Sequence, residues 1–331
     1  MHVLVTGATG FIGLHLCQAL LRNGFEVSGI SGSVKSIPSF HAPFLKELDM
    51  YHCDISKEND LIRVFDKFRR IDGIFHLAAQ TFRRDLSRGN NYFRINFQGT
   101  LNLIERCRAF KIKKFVQAST YRVYGLNSGI YSPNYVPVDE SHICRPYDFY
   151  DVSKYLAEQL CKFYHDRYSI DMSVLRYSKV YGPGLESGVV YEMVRKALSN
   201  LPITVDADIT DDLVYVDDVV QSSIVSFHKT TKFDVYNIGS GQDSTLYELC
   251  SKITQITNSK SKIIFRKGKK SMPGARLDIS KARKKLNYNP LTLEKGLTAY
   301  IRSLKNNNII RSLTAILIYF FISIETEIFS I

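Results

Sequence analysis

None of the six cysteines forms a C-x-x-C pair; they fall at 17, 53, 107, 144, 161 and 250. Thiols scattered in this way are expected to be reduced and mostly buried, as in a cytoplasmic protein. The eight histidines include no H-E-x-x-H and no other metal-ligand spacing, so no metal is expected. The opening MHVLVTG runs directly into a strand pattern, with no basic segment or small-residue cleavage site of a signal peptide. The mostly apolar stretch LTAILIYFFISI (313–324) is closed by Arg311 and Glu325 and falls short of the roughly 18–20 residues needed to span a bilayer. It reads as a docked or dispensable tail, and no membrane partner is expected. No RRM, KH or zinc-finger signature accompanies the net charge of +12. The basic runs KIKK (111–114) and RKGKK (266–270) therefore read as solvated faces, and nucleic acid is not an expected partner. A positive field of this kind also suits a small phosphate-bearing ligand.

Against these absences stand 331 residues, 45% of them apolar and 23% charged, enough for about two globular domains. Short apolar runs at 2–6, 25–30, 50–53, 73–78, 114–119 and 172–176 alternate with helical patterns such as FIGLHLCQALLRNG, which Gly24 would stop, and 96–110. This alternation predicts an α/β fold: a Rossmann-type, doubly wound parallel sheet with a ligand crevice at the carboxyl ends of the strands. Beyond residue 176 the alternation loosens. A helical run near 189–200 follows, then a short strand leading into a helix over 211–227, then a strand, turn and helix over 235–253, capped near Ser244 or Thr245. The expected division is a dinucleotide-binding domain over 1–176, to which part of 211–240 returns. A smaller, interleaved substrate domain would cover 177–305, and an apolar tail 306–331. No internal repeats are present.

The loop VTGATGFIG (5–13) carries Gly7, Gly10 and Gly13 between a strand and a helix. The early glycines allow a tight turn and close approach of backbone to a pyrophosphate, and the last lets the helix pack on the sheet. The N–H groups of the helix then face the phosphates. At the end of the second strand, where a carboxylate would hold the ribose of NAD, stands Ser31. Ser31, Ser33 and Lys35 would receive a 2′-phosphate, so NAD and NADP both remain open with a slight lean to NADP. Asp54 either meets the adenine amino group or caps the helix begun in DISKEND. In YDVSK (150–154), Tyr150 and Lys154 lie at i and i+4 on one helix face. A nearby ammonium stabilises a phenolate, which fits a tyrosine acid/base.

TGATGFIG, FHLAAQ (75–80), NFQGT (96–100), ASTYRVYG (118–125), YDVSK, VYGPG (180–184), VYVDDV (214–219) and YNIGSG (236–241) occur in order over residues 1–305. In this the chain resembles the extended short-chain dehydrogenase/reductase family, in particular the NAD-dependent epimerase/dehydratase group that acts on nucleotide sugars. The resemblance implies Tyr150 as acid/base, Lys154 as its partner and Thr120, with Ser119 as second choice, as the hydroxyl that positions substrate. It implies cofactor contacts from Gly7, Thr9, Gly10, Phe11, Ile12, Gly13, Ser31, Asp54, Ile55, Leu77, Ala78, Ala79 and Asn96, besides Tyr150 and Lys154. It also implies a homodimer, for which the apolar runs in 96–110 and 155–164 are candidate faces. The substrate side departs from the family. Lys179 stands in RYSKVYGP where asparagine is usual. Asp211 replaces the arginine of an RDFVYVDD-like stretch, and MPGA (272–275) replaces an RPGD-like stretch, followed by Arg276. Lys179 and Arg276 are the remaining basic candidates for substrate binding, and Asp211 would repel a diphosphate. Tyr121 and Arg122 follow Thr120 where sugar 4,6-dehydratases carry Asp-Glu, which argues against water elimination. The readings that remain are a nucleotide-sugar 4-epimerase, an NADP-dependent reductase or dehydrogenase of a keto sugar or other carbonyl, and a non-catalytic cofactor- or RNA-binding protein.

Overall fold

His2–Thr6 (β1), Glu26–Ser31 (β2), Asp49–His52 (β3), Gly73–His76 (β4), Lys114–Thr120 (β5), Asp171–Tyr177 (β6) and Phe233–Ile238 (β10) form one parallel sheet. The computed structural model describes residues 1–32, 47–81, 89–126, 132–205, 210–266 and 276–306. Ser33, Lys35, residues 272–275, most of the 266–270 run and the tail from 307 lie outside them.

The strand order is β10-β6-β5-β4-β1-β2-β3. Alternation along the strands sends side chains to two separate cores. Val3 and Val5 of β1 pack with Phe11–Arg22 (α1) and Val216–Lys229 (α7), while Leu4 packs with Glu58–Phe65 (α2), Gly99–Ala109 (α4) and Phe149–Tyr168 (α5). Both faces are thus covered, and strands buried on both sides need apolar residues at nearly every position. The order reverses at β1, which lies between β2 and β4. Ligands of doubly wound sheets bind in the crevice at such a reversal.

A third core joins Lys179–Tyr181 (β7), Gly188–Leu198 (α6), Ile203–Val205 (β8), Thr210–Tyr215 (β9), Leu246–Thr257 (α8) and the helix over 293–306. Its strands make two small sheets, one with Asp243–Thr245 (β11) beside β9 and β7, the other pairing β8 with Ile263–Phe265 (β12). Ser280–Leu286 (α9) packs back on the first core. Thr245 caps α8 in a reciprocal capping box with Glu248, matching the start read from the sequence. Gly24 has φ +76° just past α1, a left-handed stop.

The helix expected over 96–110 begins differently. Gly89–Tyr92 (α3) continues through a π-helical segment, Phe93–Gln98, into α4. Buried Asn96 lies in that segment, and Thr100 Oγ1 donates to its carbonyl at 2.6 Å. Periodicity alone does not register a wide turn held by side chains. Among the described residues no helix is long and apolar enough to cross a membrane.

Candidate active site

The loop after β1 turns at Gly7, whose N–H donates to Ile30 O at 2.8 Å and whose carbonyl accepts from Gly10 N at 2.8 Å. A Cβ on Gly13 would lie 2.1 Å from Gly7 O, so the helix can approach the loop only with glycine there. The N-cap of α1 is Gly10, with no side chain capping it, so the first-turn N–H groups of Phe11 and Ile12 are left for a ligand. Thr9 Oγ1 and Ser31 Oγ are 2.7 Å apart, which joins the loop to the end of β2.

Leu77 N donates to Thr6 O and Ala78 N to Thr6 Oγ1, both at 3.2 Å, so the chain through Leu77, Ala78 and Ala79 passes over the end of β1. Asn96 stands behind this segment. Its Oδ1 accepts from Gln80 N at 2.8 Å, and its Nδ2 donates to Gln80 O at 3.1 Å and Ser153 Oγ at 2.9 Å. Asn96 is therefore a strut between the loop and α5. Ile55 is buried against Gly99.

Asp54 is not a side-chain cap of α2, whose N-cap is Lys57. Its Oδ1 accepts from Ser56 N and Oγ at 3.1 and 2.7 Å, and its Oδ2 pairs with Arg94 at 2.8 Å. Burial works against its charge, but these donors hold the carboxyl below its ordinary range.

Thr120 ends β5, and Tyr150 and Lys154 lie on the first turns of α5. Burial pushes the Tyr150 phenol up to about 12, against which the Arg122 charge and a hydrogen bond from the Thr120 hydroxyl act to lower it. The structure thus brings Thr120 and Tyr150 together. Lys154 is buried and its Nζ donates to Ala118 O at 2.5 Å. Burial lowers its ammonium to about 8, opposed by the charge of Glu158. Arg122 is thus a cation acting on Tyr150 that the sequence reading, which paired Tyr150 with Lys154, did not name. Ser119, the second-choice hydroxyl, is turned into the interior. It donates to Glu158, whose carboxylate also receives Arg176 Nη2 at 2.7 Å.

On the substrate side, Lys179 and Asp211 form an ion pair, with Tyr121 Oη 3.5 Å from Asp211. The expected repulsion from Asp211 is corrected by this pairing. The aspartate is neutralised, and Lys179 is not a spare cation. Arg276 is partly buried, and its Nε has no hydrogen-bond partner among the described residues. The sequence reading missed Arg94, Arg122, Ser153 and Glu158 as parts of this site. The basic residue two positions after Thr120, Arg122, was the only visible sign of any of them.

A model of the NAD dependent epimerase/dehydratase family matches residues 3–239. A putative UDP-glucose 4-epimerase of Methanocaldococcus jannaschii is 33% identical over 316 residues, 92% of this chain and 99% of that protein. The UDP-glucose 4-epimerase of Thermotoga maritima, solved with UDP-glucose, has a TM-score of 0.82 at 29% identity, covering 92% of this chain and 99% of that one. The UDP-glucuronic acid 4-epimerase of Bacillus cereus, solved with NAD, has a TM-score of 0.78 at 30% identity over the same shares.

Proposed function

The chain belongs to the NAD dependent epimerase/dehydratase family, and from that premise we propose that it is a UDP-sugar 4-epimerase with Tyr150 as its acid/base. The observation that carries this reading is the meeting of Tyr150 with Thr120 beside the buried Lys154, at the strand ends next to the glycine loop.

The residues fit a dinucleotide. The loop at Gly7, Gly10 and Gly13 exposes backbone N–H groups at an uncapped helix start, which suits a pyrophosphate. Ser31 and Thr9 stand at the end of β2, the ribose side. When bound, the nicotinamide supplies a hydride acceptor and donor. Tyr150 Oη would take the proton of the sugar 4-hydroxyl as the C4 hydrogen leaves, and would return it to the 4-oxygen after the keto sugar has turned, so that C4–H re-forms on the other face of C4. The Thr120 hydroxyl orients that oxygen. Lys154, on the same helix face, would hold the nicotinamide ribose. Arg276 is the guanidinium available for a diphosphate, since Lys179 is engaged by Asp211. Water elimination is disfavoured, because Tyr121 and Arg122 supply no second carboxylic acid after Thr120.

A 4-epimerase returns every hydride it takes and keeps its cofactor, so NAD is the proposed cofactor. A second reading, an NADP-dependent reductase of a keto sugar, draws on Ser31 standing in place of a carboxylate at the end of β2. The partly exposed rings of Phe110 and Tyr168 and the exposed ring of Phe163, along α4 and α5, support a homodimer through these helices.

Denaturing the purified protein and identifying the released cofactor separates the two activities: near-stoichiometric NAD supports the epimerase, and an empty site that prefers NADPH supports the reductase. With UDP-glucose, UDP-galactose and UDP-glucuronate as trial substrates, Tyr150→Phe is expected to lower turnover by about 10²–10⁴-fold with NAD retained. Undiminished turnover in that variant rejects the acid/base assignment.

A further inference from the structure

Arg122 occupies the short 3₁₀ turn Tyr121–Tyr124 that follows β5, and its backbone N–H donates to Thr120 Oγ1 at 3.3 Å. Its side chain crosses to the first turn of α5. Nε donates to Asp151 Oδ1 at 2.7 Å and Nη2 to Asp151 Oδ2 at 3.3 Å, while Nη2 also pairs with Asp148. Asp148 is the N-cap of α5. Its other oxygen accepts from Asp151 N at 3.0 Å, so one carboxylate holds both the helix start and the guanidinium. The side chains of Arg122, Asp148 and Asp151 are 18%, 11% and 3% exposed, so water and salt screen them weakly. Tyr150 lies between the two aspartates in sequence, and its ring meets Tyr92 of α3 edge-on at 6.2 Å.

We propose that Arg122 is a positioning residue of the active site: forked between Asp148 and Asp151, it locks the helix start bearing Tyr150 against the strand end bearing Thr120. The inference rests on the reading of Tyr150 as the acid/base and adds a residue to it. The fork ties the strand end bearing Thr120 to the helix start bearing Tyr150, so one side chain sets the spacing of the two hydroxyls. A lysine would place a point charge there but no planar fork.

The charged groups around Tyr150 are Arg122 from the turn, and Asp148, Asp151 and Lys154 from its own helix. Lys154 is directed to Ala118 O. Among the charges acting on the phenol, Arg122 outweighs Asp151 and then Asp148, and it acts in the opposite sense to both. Removing Arg122 should make the phenol harder to ionise, whereas removing the charge of Asp148 should make it easier. Asparagine still caps the helix, so the Asp148 change is mild for the fold.

The test places 2,3,5-trifluorotyrosine at position 150, which ionises at lower pH than tyrosine, and follows its titration by 19F NMR in the full chain. Three backgrounds are compared: the parent, Arg122→Met and Asp148→Asn. Arg122→Met is expected to raise the midpoint by about half a unit or more, a roughly threefold change in ionisation constant. Asp148→Asn is expected to lower it. An unmoved midpoint in a folded Arg122→Met protein overturns the proposal, and so does a shift of both variants in the same direction. Should Arg122→Met not fold, the Asp148→Asn midpoint decides alone: a fall supports the proposal, and no change or a rise overturns it. The titration needs no substrate. Failure of the parent to turn over any UDP-sugar would therefore reject the epimerase reading and leave this result standing.

Discussion

Lys154 is both a proposed site residue and a buried charge, and the two roles oppose each other. Its side chain is almost fully enclosed, and burial lowers its ammonium to about 8. Below that pH the folded and unfolded states are both protonated, and the buried charge weakens the fold in full. Between about 8 and the ordinary lysine value the unfolded state holds more protons, so this contribution to stability rises with pH. Lys154→Met is expected to stabilise the fold at pH 7 by about 3 kcal/mol, the worth of a fall from 10.5 to about 8, with the gain shrinking toward pH 10. Urea unfolding of both proteins at the two pH values checks it, and a parent at least as stable as the variant at pH 7 would contradict it. At this scale the sequence was legible where spacing alone carries the chemistry. Tyr150 and Lys154 share a helix face because they are four apart. It was not legible for Asp211, read there as a repulsive charge. Lys179 pairs opposite Leu213 across the parallel β7–β9 ladder, which brings Asp211, two residues away on the same face, within reach of Lys179. No local pattern contains that register.

Each secondary-structure element has a local cause that can be tested by itself. The capping box of α8 satisfies two backbone donors, so Thr245→Ala should cost about 1 kcal/mol in urea unfolding and leave turnover unchanged. A loss of turnover would tie this remote helix to the site. The start of α1 is more demanding. Gly13→Ala places a Cβ where Gly7 O lies, and backbone cannot yield as a flexible side chain can. Dinucleotide affinity should fall at least tenfold, about 1.4 kcal/mol or more, measured by calorimetry; unchanged affinity would mean the loop tolerates the shift. The loop, its helix and the cap at Thr245 were all visible as residue patterns. The π segment ahead of α4 was not. It is held by Asn96, and the partners of Asn96 come from Gln80 and Ser153, sixteen and fifty-seven residues away.

Across the whole molecule one buried carboxylate joins the large sheet to the small ones. Asp212 of β9 accepts from Ser240 N at 2.6 Å and Gly241 N at 3.1 Å after β10, from Ser178 Oγ at 3.3 Å after β6, and from Leu277 N at 3.3 Å. Burial raises its carboxyl to about 6 despite these donors. Asp212→Ala would leave several buried donors unsatisfied at once. It should destabilise the protein by about 3 kcal/mol or more, seen as lost soluble expression or a much lower urea midpoint. A near-normal midpoint would show that water replaces the carboxylate.

The sequence by itself determined the parallel sheet, the glycine turn and the Tyr150–Lys154 spacing. Hydrophobic period, turn residues and helix pitch act over a few neighbouring positions, and the chain carries them wherever it folds. Only the tertiary structure decided that Asp211 neutralises Lys179, that Ser119 turns toward Glu158, and that the charge of Arg122 acts on Tyr150. Those outcomes depend on which strand ends and helix starts meet. At such meetings charges far apart in sequence come within a few ångströms, with little water left between them to weaken their effect.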